Sequence, residues 1–274
     1  MIIVGPDKVR GDSARPSPFR GARPADAADL CVGPPACPII WPMGGAPESR
    51  YSFKPSPYSS HSLLLAALPE RSEGGRVLDL GCADGWLGAV LAARGYRVTG
   101  VERPGNAPVD FPREVELVEA DLDAGLPALD GAYDYALCAD ILEHLRDPGR
   151  LLDQIRGVLA PGGRLVASLP NSGNLYFRLN VLAGRFPQHD RGLFDRTHLH
   201  FHAWANWVDL LASSGFGIEK CRSSGIPIGL AMPSRAATLP ARAAERLSYE
   251  LARCWKTLFA YQFVVTARPE AGRP

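Results

Sequence analysis

The residues able to do chemistry gather in two places. The first is RVLDLGCADGW, residues 76–86, where Gly81, Cys82, Ala83 and Gly85 form a turn between Asp79 and a helix-like run, with Asp84 inside it. A residue without a side chain lets the backbone approach a ligand closely. Here acids flank the turn, and two more follow at Glu102 and Asp121. Carboxylates accept hydrogen bonds from hydroxyls and attract cations, while they repel phosphate. The second place is made of histidines. His144 follows Glu143 in DILEHL, and GLFDRTHLHFH, residues 192–202, holds Asp195, Arg196, His198, His200 and His202. A neutral imidazole can take a proton from a hydroxyl, which makes His144 and His198 candidate bases. If the second stretch is extended, its three histidines share a face by period two, and Asp195 could orient His198. Histidine with carboxylate is also a metal-binding combination. The alternative is structural, with Asp195 and Arg196 in ion pairs and the histidines bonded to backbone.

The elements that must position these groups alternate strand and helix. Strands are expected at 76–81, 96–102, 114–122, 133–140 and 161–170, and helices at 59–68, 85–95 and 148–160. Pro148 suits a helix start, and Leu151, Leu152, Ile155, Val158 and Leu159 make the apolar stripe. The strands are nearly continuous apolar runs, as in a parallel sheet covered on both faces. Right-handed crossovers then give a doubly wound α/β fold. After Pro170 the rhythm breaks into a long aromatic and basic segment, 171–202. A helix over 204–216, a strand at 216–222, a helix over 241–259 and a strand at 260–268 follow. The last two strands suit an antiparallel hairpin at one sheet edge.

In open α/β sheets the ligand lies beyond the carboxyl ends of the strands. Asp79, the turn, Glu102, Asp121 and the group Cys138–Asp140 all stand at such ends. Glu102, about twenty residues past the turn, suits ribose hydroxyls. A pyrophosphate would meet Asp79 and Asp84, so the ligand carries a ribose, no phosphate and preferably positive charge. S-adenosylmethionine fits that description. No metal is required for its chemistry.

VLDLGCADGW, VTGVE, EADL, YDYALCADILEHLRDP and LAPGGRLVASLPN together resemble class I S-adenosylmethionine-dependent methyltransferases, over about residues 59–170. That family commonly reads G-x-G-x-G where this chain reads G-C-A-D-G. The resemblance implies a Rossmann-like, seven-stranded, mostly parallel sheet. It also implies that Asp79 and Gly81 sit at the methionine part, Glu102 at the ribose, and Asp121 with Leu122 at the adenine. Cys82, Ala83 and Gly85 complete the turn, and Cys138 with Ala139 lines the cofactor. GLFDRTHLHF resembles a bacterial methyltransferase subgroup reading DRTHLRF; His200 stands where arginine is common there, and Ala203 where a capping Thr or Ser is common. The expected activity is methyl transfer to a small-molecule or glycan-type acceptor, with oxygen favoured. The alternative is a non-catalytic S-adenosylmethionine-binding partner or regulatory module.

Bulk properties bound the remainder. The 274 residues carry a net charge of +1, which gives no support for nucleic-acid or acidic-membrane partners. Six cysteines at 31, 37, 82, 138, 221 and 254 form no CxxC pair, as expected of reduced thiols in a cytoplasmic protein. Residues 1–47 are proline-rich and read as a disordered tail, leaving 48–270 as the methyltransferase domain with a substrate-side insertion at 171–202. Tyr176, Phe177, Phe186, Phe194, Trp204 and Trp207 form either a lid or a core under that insertion. Arg178, Arg185, Arg191 and Arg196 could meet an anionic substrate, or simply be solvated.

Overall fold

The computed structural model describes residues 56–227 and 238–270. The tail expected over 1–47, with Cys31 and Cys37, lies outside the described residues. Seven strands form one sheet: β1 Arg76–Leu80, β2 Arg97–Glu102, β3 Val115–Glu119, β4 Tyr133–Ala139, β5 Leu159–Pro170, β6 Phe216–Ser223 and β7 Gln262–Pro269. Their order is β3-β2-β1-β4-β5-β7-β6. β1 through β5 pair in parallel, and β7 runs antiparallel to both β5 and β6. This is the expected doubly wound sheet with an antiparallel edge. Strand order reverses between β1 and β4, which places a crevice at their carboxyl ends.

Helices cover both faces: α1 Ser60–Leu65, α2 Trp86–Ala93, α3 Pro148–Val158, α4 Leu175–Leu182, α5 Trp204–Ser213, α6 Leu239–Cys254 and α7 Lys256–Phe259. The alternation along β1 divides the core. Leu78 and Leu80 pack with Leu151, Leu152 and Ile155 of α3 and Trp207 and Leu211 of α5. Val77 packs the other way, with Leu64, Leu87 and Leu91. By the two-residue period Asp79 shares the Val77 face, toward α2. Local caps hold the helices in place. Asp147 accepts from Arg150 N at 2.9 Å, and Asn174 Oδ1 accepts from Tyr176 N at 2.9 Å. Ala203 offers no cap oxygen to α5; its own N–H donates to Asn206 Oδ1 at 3.2 Å instead.

Three elements depart from expectation. α4 lies inside the long segment after β5, where no helix was expected. The helix expected over 241–259 breaks at Trp255, whose φ of −141° and ψ of 77° are not helical. Past the break, a polar anchor holds the end of α7: Asn171 Nδ2 donates to Ala260 O at 2.9 Å and Asn174 Nδ2 to the same oxygen at 2.8 Å. The stretch 192–202 is not a strand, apart from an isolated bridge between His189 and Asp195.

Candidate active site

Two loops meet at the strand-order switch. After β1 the chain takes left-handed conformations at Gly81 (φ 71°), Ala83 (φ 50°) and Gly85 (φ 75°). A Cβ on Gly81 would lie 2.8 Å from Ile141 Cδ1, and one on Gly85 2.6 Å from Phe111 Cε2. The turn is thus clamped between the loop after β4 and the approach to β3, and neither glycine tolerates a side chain. Ala83 adopts its φ because its N–H is held by Glu102 Oε2 at 2.8 Å. Cys82 turns inward: a Cβ on Gly100 would lie 2.7 Å from its sulfur, so Gly100 makes room for it. Burial, and then Asp79, pushes the Cys82 and Cys138 thiols well above their ordinary range, so both are packing groups.

Asp79 is 1% exposed, and neither carboxylate oxygen has a hydrogen-bond partner. Burial, followed by the charges of Glu102 and Asp84, pushes its pKa up to about 7. A buried carboxylate without partners is costly unless a cation or donor meets it. A ligand ammonium would supply both. Glu102 already accepts from Ala83 N, Arg103 N at 2.9 Å and Asn106 Nδ2 at 3.1 Å. Of the roughly four acceptor positions on a carboxylate, one on Oε2 remains, which suits a ribose hydroxyl. Asp121 is exposed, with Arg103 at 3.7 Å, and opens a turn through its bond from Asp123 N at 3.1 Å. Leu122 beside it is buried with Val101. At the end of β4, Asp140 sits at φ 55°. Its Oδ1 accepts from Ser168 Oγ and from Gln262 Nε2 at 2.7 Å, which ties β4, β5 and β7 together beneath the crevice.

The histidines sort themselves differently from the extended-chain reading. His144 ends a short 3-10 turn, Leu142–His144, and its ring stands 4.7 Å from that of His198. The link between the two stretches is a backbone lattice, in which Glu143 O accepts from Leu199 N at 2.8 Å and His200 N at 3.2 Å. His200 is structural, its Nε2 donating to Leu145 O at 2.8 Å. His202 stacks edgewise on Trp207 at 4.7 Å. Asp195 does not orient His198. Its Oδ1 accepts from Thr197 N at 2.8 Å and from Thr197 Oγ1 at 2.6 Å. Thr197 in turn meets His144 Nδ1 with Oγ1 at 3.1 Å and its carbonyl at 3.2 Å. The threonine proton is spent on Asp195, and the carbonyl only accepts. Both neighbours of Nδ1 are therefore acceptors, so Nδ1 carries the hydrogen and Nε2 the lone pair. Thr197 is the residue that sequence reasoning passed over. The signal was its place between Asp195 and His198, where a short side-chain turn is natural.

His198 is held near 4, first by burial and then by His144, and is neutral at pH 7. Glu143, His144 and His198 each bring one ligand atom within 4.8 Å of the others, a set that a divalent cation could use. Arg196 pairs with Asp190 at 3.0 Å. Trp207 is core, donating to Pro170 O at 2.8 Å, and Trp204 packs on Phe263. Phe177 and Phe194 stack at 4.3 Å and pin the segment after β5. Tyr58 packs on Tyr249 of α6 at 4.7 Å.

The sheet order, with the clamped turn at the switch point, defines a Rossmann-like α/β domain of the class I type. A family model described as a methyltransferase domain matches residues 56–220, and the chain belongs to that family, whose methyl donor is S-adenosylmethionine. Among curated relatives, a ubiquinone biosynthesis O-methyltransferase of Azotobacter vinelandii is 28% identical, over 58% of this chain and 67% of its own length. The protein of the same description from Marinobacter nauticus is 31% identical, over 49% of this chain and 60% of its own length. The chain thus spans about three fifths to two thirds of these two relatives. Among solved structures, an S-adenosylmethionine-dependent methyltransferase from Mesorhizobium loti aligns with a TM-score of 0.52 at 23% identity, over 77% of this chain and 98% of that one. The YcgJ protein of Bacillus subtilis gives 0.53 at 15%, over 78% and 99%. These two likenesses concern the fold. Among the described residues, no helix is long and apolar enough to cross a membrane.

Proposed function

We propose that this chain transfers a methyl group from S-adenosylmethionine to a hydroxyl oxygen of a small organic acceptor, with His144 as the base. The observation that carries this reading is the pair of acceptors on His144 Nδ1, which leaves a lone pair on Nε2 beside the strand ends. His198, held near 4, is too weak a base at neutral pH to share that role and stands as a neutral ring beside His144. The curated relatives named as O-methyltransferases support oxygen over nitrogen or carbon.

The donor, when bound, supplies a methyl carbon already activated by its sulfonium. Asp79 holds the ammonium end, the backbone of Gly81, Cys82, Ala83 and Gly85 lies along the ligand, and Glu102 takes a ribose hydroxyl. Asp121 with Leu122 borders the adenine, and Cys138 with Ala139 forms the floor. The acceptor oxygen approaches in line with the carbon–sulfur bond. Its proton passes to His144 Nε2 as the new carbon–oxygen bond forms, and the electron pair of the broken bond stays on sulfur. Holding the two reactants in line is the larger contribution.

The test is release of S-adenosylhomocysteine against phenols, catechols, sugars and amines. Turnover should appear with a hydroxyl acceptor. His144→Gln should lower kcat by about a hundredfold or more while the donor KM stays near its value. Exhaustive chelation should leave the rate unchanged; loss restored by one divalent ion would reassign His144 to metal ligation. Donor binding with no turnover on any acceptor would favour a non-catalytic module.

A further inference from the structure

We propose that α4 and the turn after it form a docking surface for an anionic lipid bilayer. The argument starts from a helix whose outward face is wrong for water. α4 buries Phe177, which stacks on Phe194 at 4.3 Å. At 100° per residue the side opposite Phe177 carries Leu175, Leu179 and Leu182, at i, i+4 and i+7. All three are exposed, Leu179 at 54% and Leu182 at 84%, and Phe186 beyond the helix is 50% exposed. A helix at a water interface normally puts its polar residues there. Contiguous exposed apolar surface of this kind marks a place where something binds.

Charge selects the occupant. Residues 175–196 hold four arginines, 178, 185, 191 and 196, against two aspartates, 190 and 195. Asp190 is engaged by Arg196, and Asp195 is buried against Thr197. That leaves Arg178 within α4 and Arg185 and Arg191 in the chain that follows it, all three exposed. Arg178 Nε donates to Gly173 O at 2.6 Å, which leaves the guanidinium's other N–H groups for a phosphate. A second copy meeting this face about a two-fold axis would set arginine against arginine. A small ligand would want a concave site, whereas Leu182 protrudes. An anionic bilayer satisfies both features, taking leucines and Phe186 at the acyl boundary and arginines at the phosphates. The whole-chain charge of +1 hides this local excess, which is why a membrane partner was not expected.

The surface adjoins the site. The rings of Phe177 and Phe186 lie 5.9 and 5.1 Å from Phe201, whose ring lies 6.0 Å from that of His198. Docking would therefore present the His144–His198 side of the domain to the lipid. This inference does not depend on the acceptor proposed above.

The experiment is co-sedimentation of the full chain with phosphatidylcholine vesicles, with and without phosphatidylglycerol, at low and high salt. Binding should need phosphatidylglycerol and weaken with salt. The double variant Leu179→Glu/Leu182→Glu should lose at least about tenfold in binding. Arg185→Gln and Arg191→Gln should each lose about fivefold. S-adenosylhomocysteine affinity, measured by titration calorimetry, should stay unchanged in all four proteins and so certify the fold. Absence of binding to anionic vesicles, or equal binding by the double variant, would overturn the proposal. So would a concentration-dependent dimer, or retention of an acidic protein, that the leucine variant abolishes while vesicle binding persists.

Discussion

Asp79 is where ligand binding and protonation meet. Its carboxyl is pushed up to about 7 by burial and by two neighbouring acids, so near neutrality it is partly protonated in the free protein. A ligand ammonium selects the ionised form and must displace that proton. The affinity for S-adenosylhomocysteine is therefore expected to rise with pH, by up to about tenfold per unit below pH 7, and to level off above it. Calorimetry in buffers of differing ionisation enthalpy should register proton release. Asp79→Asn should bind more weakly and lose the pH slope; an unchanged slope would assign the proton elsewhere. Thr197 acts at one remove, through His144. Thr197→Val keeps the carbonyl on Nδ1 but removes the hydroxyl that Asp195 holds in place. The expected result is a roughly tenfold fall in kcat with the donor KM unchanged, about the value of one hydrogen bond. Thr197→Ser should restore it, which a merely structural role for the methyl group would not allow.

At the scale of elements, the segment after β5 is held by its backbone bonds to Glu143 and by an aromatic cluster centred on the Phe177–Phe194 stack. Phe177, Leu193 and Phe194 form a small cluster of their own, closed by Tyr261 and separate from the two main cores. Phe194→Ala removes a fully buried ring and is expected to destabilise that cluster by about 3 kcal/mol. Because the cluster is a satellite, the loss should appear as local opening. Limited proteolysis should cut within 175–199, turnover should fall, and S-adenosylhomocysteine should still bind. This division also explains what could be read without the structure. β1, β2, β4 and β5 are short apolar runs punctuated by glycine or acid, and their ends carry Asp79, Glu102 and Cys138, so the cofactor side follows from the strand-end rule. α4 gave no such signal because its apolar residues stand on opposite sides, Phe177 inward and Leu175, Leu179 and Leu182 outward, so no single stripe marks it. The break at Trp255 has no local signal, because the carbonyls beyond it are held by Asn171 and Asn174, more than eighty residues earlier in the chain. The meeting of His144 with Thr197 joins residues fifty-three apart, which local pattern does not reveal.

For the whole molecule, the two groups of the site that are shifted within the acid-to-neutral range, Asp79 and His198, act on stability with opposite signs. His198 is held near 4 in the folded chain, below its ordinary 6.5, so the unfolded state binds its proton first as pH falls. Its contribution is complete above 6.5 and is lost between 6.5 and about 4. Asp79 is raised from 3.8 to about 7, so the folded state keeps a proton that the unfolded state releases. Its contribution is greatest at low pH and is lost as pH rises from 3.8 to about 7. Between about 4 and 6.5 the folded chain protonates Asp79 where the unfolded chain protonates His198. The proton counts then match, and these two groups together give almost no slope. Each alone corresponds to a few kcal/mol, at about 1.4 kcal/mol per pKa unit, with the half-shielded His198 at the lower end. Substitution should uncover the hidden slopes. Relative to the parent protein, Asp79→Asn should lose stability progressively as pH falls from 6.5 to 4, because only the His198 term remains. His198→Gln should lose it as pH rises across the same window, leaving the Asp79 term. Urea unfolding of the three ligand-free proteins at half-unit pH steps measures the differences directly. Parallel pH profiles for all three would mean that neither group carries its shifted protonation in the native state.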